Sequence, residues 1–184
     1  MKEVSACKDG GVQAELVGGE FTHWRGRIQG PDDSCYAGGL FHVDIRIPET
    51  YPFEPPKMKF ITKLWHPNVS SVTGAICLDI LKDEWSPALT IRTALLSLQA
   101  LLSCPEPDDP QDAQVANQYK NNQEAFQHQA KEWTSIYANP DGSGLFQEQL
   151  PKLLEMGFAR DKALEALFQF SGDENRAIEF LFGS

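Results

Sequence analysis

The sequence has no CxxC pair. Its four cysteines, at positions 7, 35, 77 and 104, are separated by 28, 42 and 27 residues, which argues against zinc ribbons and redox dithiols. Free thiols in a reducing compartment are the expectation. It also lacks an apolar run near the roughly 20 residues of a membrane-spanning helix. Met1–Gly10 carries Lys2, Glu3, Lys8 and Asp9 where a secretory signal would have an apolar core, so the expected location is the cytosol or nucleus. Cations are in deficit, with 16 Lys and Arg against 26 Asp and Glu, a net charge of −10. Neither nucleic acid nor an anionic membrane is then the expected main partner, because both reward clustered positive charge. Internal repeats and low-complexity segments are absent as well.

What is present suits a globular chain. With 184 residues and 41% hydrophobic content, the chain can bury one full core and has room for a second, small one. The stretch "ANPDGSG" (138–144) gathers Pro140, Gly142 and Gly144 among small polar residues, the chemistry of a turn or linker. It divides residues 1–138 from a linker, 139–145, and a second unit, 146–184. Both sides are acidic: residues 141–184 hold 4 basic and 8 acidic groups.

In the first unit, strand patterns precede helical ones. "THWRGRIQG" (22–30), "LFHVDIRIP" (40–48) and "KMKFIT" (57–62) approach alternation, and Phe41, Val43, Ile45 and Ile47 share one face. Short Gly- and Pro-rich connections favour an antiparallel meander. "YPFEPP" (51–56) cannot be a central strand, because its prolines donate no ladder bonds. Thr90 predicts an N-cap for a helix to about Leu102, with Ile91, Leu95, Leu98 and Leu102 at helical spacing. Two more helices are predicted, near Asp112–Lys120 and Gln123–Tyr137. The fold class is α+β, with helices on one side of a small sheet.

The chemistry centres on "WHPNVSSVTGAICLDI" (65–80). Alone, Cys77 between Ile76 and Leu78 reads as a small buried hydrophobe more readily than as a nucleophile. As a metal ligand it would need partners, and His66 has no second Cys or His at ligand spacing. An acyl-transfer cysteine needs a thiolate and donors aimed at a developing oxyanion. Asn68 supplies an amide, and Pro67 restricts the turn that carries it.

The stretches "CYAGGLFHVDIRIPETYPFEPP", "KLWHPNVSSVTGAICLDILKDEWSPALTI" and "PEPDDPQDA", in this order and at these separations, resemble the catalytic domain of ubiquitin-conjugating enzymes. The similarity is greatest to the class with a C-terminal ubiquitin-associated (UBA) domain, that of the huntingtin-interacting ubiquitin-conjugating enzyme. The resemblance implies that Cys77 accepts the C-terminal carboxyl of ubiquitin as a thioester from an activating enzyme and yields it to a lysine amine of a protein substrate. No cofactor is implied, since ATP is used by the activating enzyme. Asn68 matches the family asparagine, which stabilises the oxyanion or holds the loop. His66 and Pro67 are assigned to loop structure, and Asp109, in "PDDP", to orienting the incoming lysine. Phe53, Pro87 and Ala88 match the two loops that grip a RING-type ligase, and Leu96 and Ala100 match positions that support the folded-back donor ubiquitin. For Trp85 the competing reading is a core residue, and for Leu96 and Ala100 ordinary helix packing. Asp108 fits a turn or cap as well as a functional role.

Residues 146–184 read as a three-helix bundle, over about Phe146–Glu155, Asp161–Phe170 and Asp173–Phe182. Met156-Gly157-Phe158 resembles the UBA signature loop, where Gly157 ends the first helix and frees Met156 and Phe158 as an apolar surface. The resemblance adds Phe180 and Leu181, at the end of the third helix, to the ubiquitin-binding set. One departure stands out. Family members normally begin with an amphipathic helix, whereas only "MKEVSACKDGG" precedes "VQAELV", so that helix is expected to be mostly missing. Two alternatives follow from the residues: a Cys/His/Asn hydrolase built from Cys77, His66 and Asn68, and a non-catalytic ubiquitin-binding protein acting through the UBA domain.

Overall fold

The computed structural model describes residues 11–170 and 172–183. The expectation about the N-terminal helix falls on residues outside this range.

Alternating side chains build a four-stranded antiparallel meander, β1 (Val12–Val17), β2 (Glu20–Gln29), β3 (Leu40–Arg46) and β4 (Lys57–Phe60), in that spatial order. The register pairs Gly26 with Val43 and Ile45 with Met58. Because side chains alternate across a sheet, Ile28, Phe41, Val43, Ile45 and Phe60 face inward and are buried. The outer face carries His23, Arg25, Arg27, His42, Asp44 and Lys59. β1 was absent from the sequence-based strands: of its residues only Val12 is buried, so its apolar alternation is weak.

The core helix α1 (Ile91–Ser103) starts where predicted: the Thr90 side chain accepts from the Thr93 amide. Its buried Leu95, Leu98 and Leu102 pack in the same core as the inner sheet face. α2 (Ala113–Asn121) and α3 (Gln123–Tyr137) are capped by Asp112 and Asn122 and bring Val115, Phe126 and Ala130 into that core.

A second core belongs to α4 (Gln149–Glu155), α5 (Arg160–Gln169) and α6 (Glu174–Gly183), around Leu150, Leu153, Ala163, Leu167 and Ala177. The connection from α3 is a compact turn rather than an extended tether. Gly142 donates to Asn139 O, a single 3-10 turn covers Ser143–Phe146, and Gln147 donates to Ile136 O. Gly157 ends α4 at φ 91°. Its amide donates to Leu154 O and that of Phe158 to Leu153 O, the paired bonds of a Schellman ending that only a left-handed residue completes readily.

Candidate active site

Two loops meet at Cys77, and one side chain fastens them. Asn68 is 1% exposed. Its Nδ2 donates to Glu106 O (2.8 Å) and Asp109 O (2.9 Å), while its Oδ1 accepts from the Glu106 amide (2.8 Å). Its backbone O also accepts from the Cys77 amide at 2.9 Å. One residue thus joins the cysteine segment to the 105–110 loop. With both amide hydrogens committed to carbonyls, Asn68 in this arrangement acts on the loop.

His66 locks the same turn from below. It is buried, its Nε2 lies 2.9 Å from Leu101 O on α1, and its Nδ1 accepts from the Asn68 amide at 3.0 Å. One nitrogen must donate and the other accept, which fixes a single neutral tautomer. Burial pushes its pKa down to about 4. Pro67 O accepts from the Gln111 and Asp112 amides, so His66, Pro67 and Asn68 all bind the turn to neighbouring segments. Gly74 supports the next turn. Its φ is 73°, and a Cβ there would stand 2.0 Å from Phe60 O, so a larger residue would push the cysteine segment off β4.

Cys77 is half-buried, not a core filler. Its thiol donates to Asp109 Oδ2 at 3.3 Å and accepts from Lys82 Nζ at 3.2 Å. Asp109 is exposed, so an approaching amine can reach both groups. Asp108 points elsewhere and pairs with Lys120 at 2.8 Å. Lys82 was missed in the sequence. It stands five residues after Cys77, just past a 3-10 turn over Asp79–Leu81 that returns it to the sulfur. Hydrogen bonding and charge interaction with Cys77 hold its ammonium above the ordinary lysine pKa.

The proposed ligase-binding residues lie on adjoining loops. Phe53 is 80% exposed, and Pro87 and Ala88 are exposed too. Trp85 joins the loops: its Nε1 donates to Pro52 O at 2.8 Å, and its ring lies 6.0 Å from that of Tyr51. The core reading of Trp85 therefore gives way to a bridging one, which sequence alone could not provide because it depends on a cross-loop contact. On α1, Leu96 is half-buried against the core and Ala100 is exposed.

In the bundle, Met156 is 47% exposed and the Phe158 ring lies 5.0 Å from that of Phe182, itself 69% exposed. Phe182 is an addition to the residues expected there. Phe180, two positions earlier on α6, lies on a different side and meets Phe170 at 5.6 Å. Leu181 packs against the bundle core. Residues two apart on a helix do not share a face, which divides the expected set.

A family model described as ubiquitin-conjugating enzyme matches residues 1–134, and one described as UBA/TS-N domain matches residues 146–181. The chain belongs to the ubiquitin-conjugating enzymes. This ubiquitin-conjugating enzyme is 54% identical to human ubiquitin-conjugating enzyme E2 K over 174 residues, covering 94% of this chain and 87% of the relative. It is 49% identical to Arabidopsis thaliana ubiquitin-conjugating enzyme E2 27 over 184 residues, covering 98% and 94% of the two chains. Among solved structures, the E2 domain of a Toxoplasma gondii ubiquitin conjugating enzyme superposes with a TM-score of 0.69 at 61% identity, covering 70% of this chain and 89% of that one.

Proposed function

We propose that the chain carries ubiquitin as a thioester on Cys77 and transfers it to lysine amines, extending polyubiquitin chains that mark proteins for degradation. The Cys77 sulfur attacks the carbonyl of ubiquitin held on the activating enzyme, and that enzyme's thiolate leaves. A lysine amine then attacks the new thioester: the C–N bond forms, the C–S bond breaks, the amine gives up a proton and Cys77 leaves as thiolate. The observation that carries this reading is the half-buried Cys77 thiol set between Asp109 Oδ2 and Lys82 Nζ.

Each neighbour has a task in that cycle. Asp109 orients the incoming amine. Asn68 and His66 keep the Asp109 loop at the cysteine. Lys82 places positive charge where the thiolate is regenerated. Phe53, Pro87 and Ala88 offer a RING-type ligase an exposed apolar anchor on two loops that Trp85 holds together, and Leu96 and Ala100 on α1 support the donor ubiquitin. In the bundle, Met156, Gly157 and Phe158, with Phe182 beside them, contact ubiquitin, while Phe180 and Leu181, on other sides of α6, hold that helix against the rest of the bundle. A second binding module on the same chain raises the local concentration of acceptor ubiquitin.

The reading is tested by single-turnover discharge. Preformed ubiquitin thioester is chased with free lysine, comparing the parent with Asp109→Ala. Slower discharge with unchanged loading supports the assignment of Asp109, whereas equal rates at both steps remove it from the amine step.

A further inference from the structure

The bundle has a second surface, opposite in purpose to its exposed loop. The Phe168 carbonyl, near the end of α5, accepts from Arg25 Nη1 and Nη2 at 3.4 and 3.3 Å, and the Arg25 guanidinium lies 5.2 Å from the Phe168 ring centroid. His42, on the neighbouring strand, lies 5.6 Å from the same ring at 33°. Both sheet residues are buried, Arg25 to 7% and His42 to 3% exposure. Arg25 Nε and both His42 ring nitrogens have no hydrogen-bond partner among the described residues. Burying such groups costs free energy, and against that cost stand the two Arg25 bonds to the Phe168 carbonyl and the contacts of both side chains with its ring. Phe146 backs the contact with its ring 4.9 Å from that of Phe168.

The two units differ in the charge they bring to this side. The outer sheet face presents Arg25, Arg27, Arg46, Lys57 and Lys59 against Glu15 and Asp44. The segment that reaches it at Phe168, 141–184, is acidic, with 4 basic and 8 acidic groups, while the ion pairs of the face itself run within the sheet, Arg27 to Glu15 and Arg46 to Asp44. The contact leaves Met156, Phe158 and Phe182 free of the sheet, and both Met156 and Phe182 remain exposed.

We propose that Arg25, His42 and Phe168 form an interdomain latch that holds the bundle on the outer sheet face while ubiquitin occupies the Met156–Phe158–Phe182 surface. The bundle then acts as a fixed platform, and the part of the sheet face around Arg25 and His42 is closed to other partners while the latch holds. The part played by ubiquitin rests on the function proposed above; the docking does not.

Amide relaxation of the full chain tests the latch. One tumbling time should describe both domains, and titration with free ubiquitin should shift the Met156, Phe158 and Phe182 amides without separating the domains. Arg25→Ala should give the bundle its own, shorter tumbling time, with thioester loading unchanged. If that variant perturbs the sheet, His42→Ala, which removes only the ring contact, carries the test. A parent bundle that tumbles separately, release by ubiquitin, or shared tumbling in both variants would overturn the latch. Absence of the ubiquitin-induced shifts, with common tumbling intact, would instead count against the UBA binding reading.

Discussion

Replacing Asn68 by Ala removes three hydrogen bonds at once, two donated to Glu106 O and Asp109 O and one accepted from the Glu106 amide. At a net contribution of about 1 kcal/mol each, the loss is about 3 kcal/mol. For a domain of this size that corresponds to a fall in Tm of roughly 6–12 °C. The loss is directional, because all three bonds tie the turn before Cys77 to the loop that holds Asp109. Loading should suffer less than discharge, since the cysteine segment keeps its own backbone contacts while Asp109 loses its anchor. Thermal unfolding and amide exchange at Glu106 read the structural part, and single-turnover discharge of preformed thioester reads the chemical part. Asn68→Asp keeps the acceptor but turns a buried carboxylate oxygen towards the Glu106 and Asp109 carbonyls, so at neutral pH it should cost at least as much as Ala. An Asn68→Ala protein with unchanged Tm and a fully protected Glu106 amide, yet slow discharge, would refute the loop-holding role and return the side chain to the oxyanion.

Acid should weaken the same region through His66. Its pKa is about 4 when folded against an ordinary value of 6.5, so between those values the unfolded chain binds a proton that the folded chain refuses. Stability on this account is full above pH 6.5 and falls by up to about 3 kcal/mol as pH drops towards 4. His42 shares the direction, so denaturant titrations from pH 7 to 4.5 are made on a His42→Gln background, where a flat profile would contradict the His66 assignment. Leu167→Ala, at a fully buried bundle position, should cost about 2–5 kcal/mol and unfold the bundle before the catalytic domain, which calorimetry would show as two transitions. Trp85→Phe removes the bond to Pro52 O; ligase-stimulated discharge should slow while unassisted discharge is unchanged, and equal effects on both would place Trp85 outside the ligase surface.

Local signals in the sequence carried much of the fold. Thr90 marked the start of α1 because an N-cap hydroxyl bonds within its own turn, and the Phe41, Val43 and Ile45 alternation marked β3 because one whole face is buried. β1 was harder to read, since an edge strand with one buried residue leaves little pattern. The resemblance to a known family singled out Cys77 and Asp109, yet the bonding of the Asn68 amide depends on contacts 38 and 41 residues away, beyond what local pattern can show. Lys82 and Phe182 were missed, and Trp85 was read as core rather than as a bridge, for related reasons: their partners are set by a 3-10 turn, the helical phase of α6 and a contact between loops. The Arg25–Phe168 contact spans 143 residues and joins two units that composition had marked only as separate.

The proposed chemistry depends on one bond, the thioester between Cys77 and the ubiquitin carboxyl. Incubating the protein with ubiquitin, activating enzyme and ATP, and comparing non-reducing with reducing gels beside a Cys77→Ala control, tests it most directly. A band heavier by one ubiquitin, removed both by reductant and by the substitution, is the predicted result. A folded protein that forms no such band, or forms one that survives Cys77→Ala, would show that Cys77 does not carry ubiquitin.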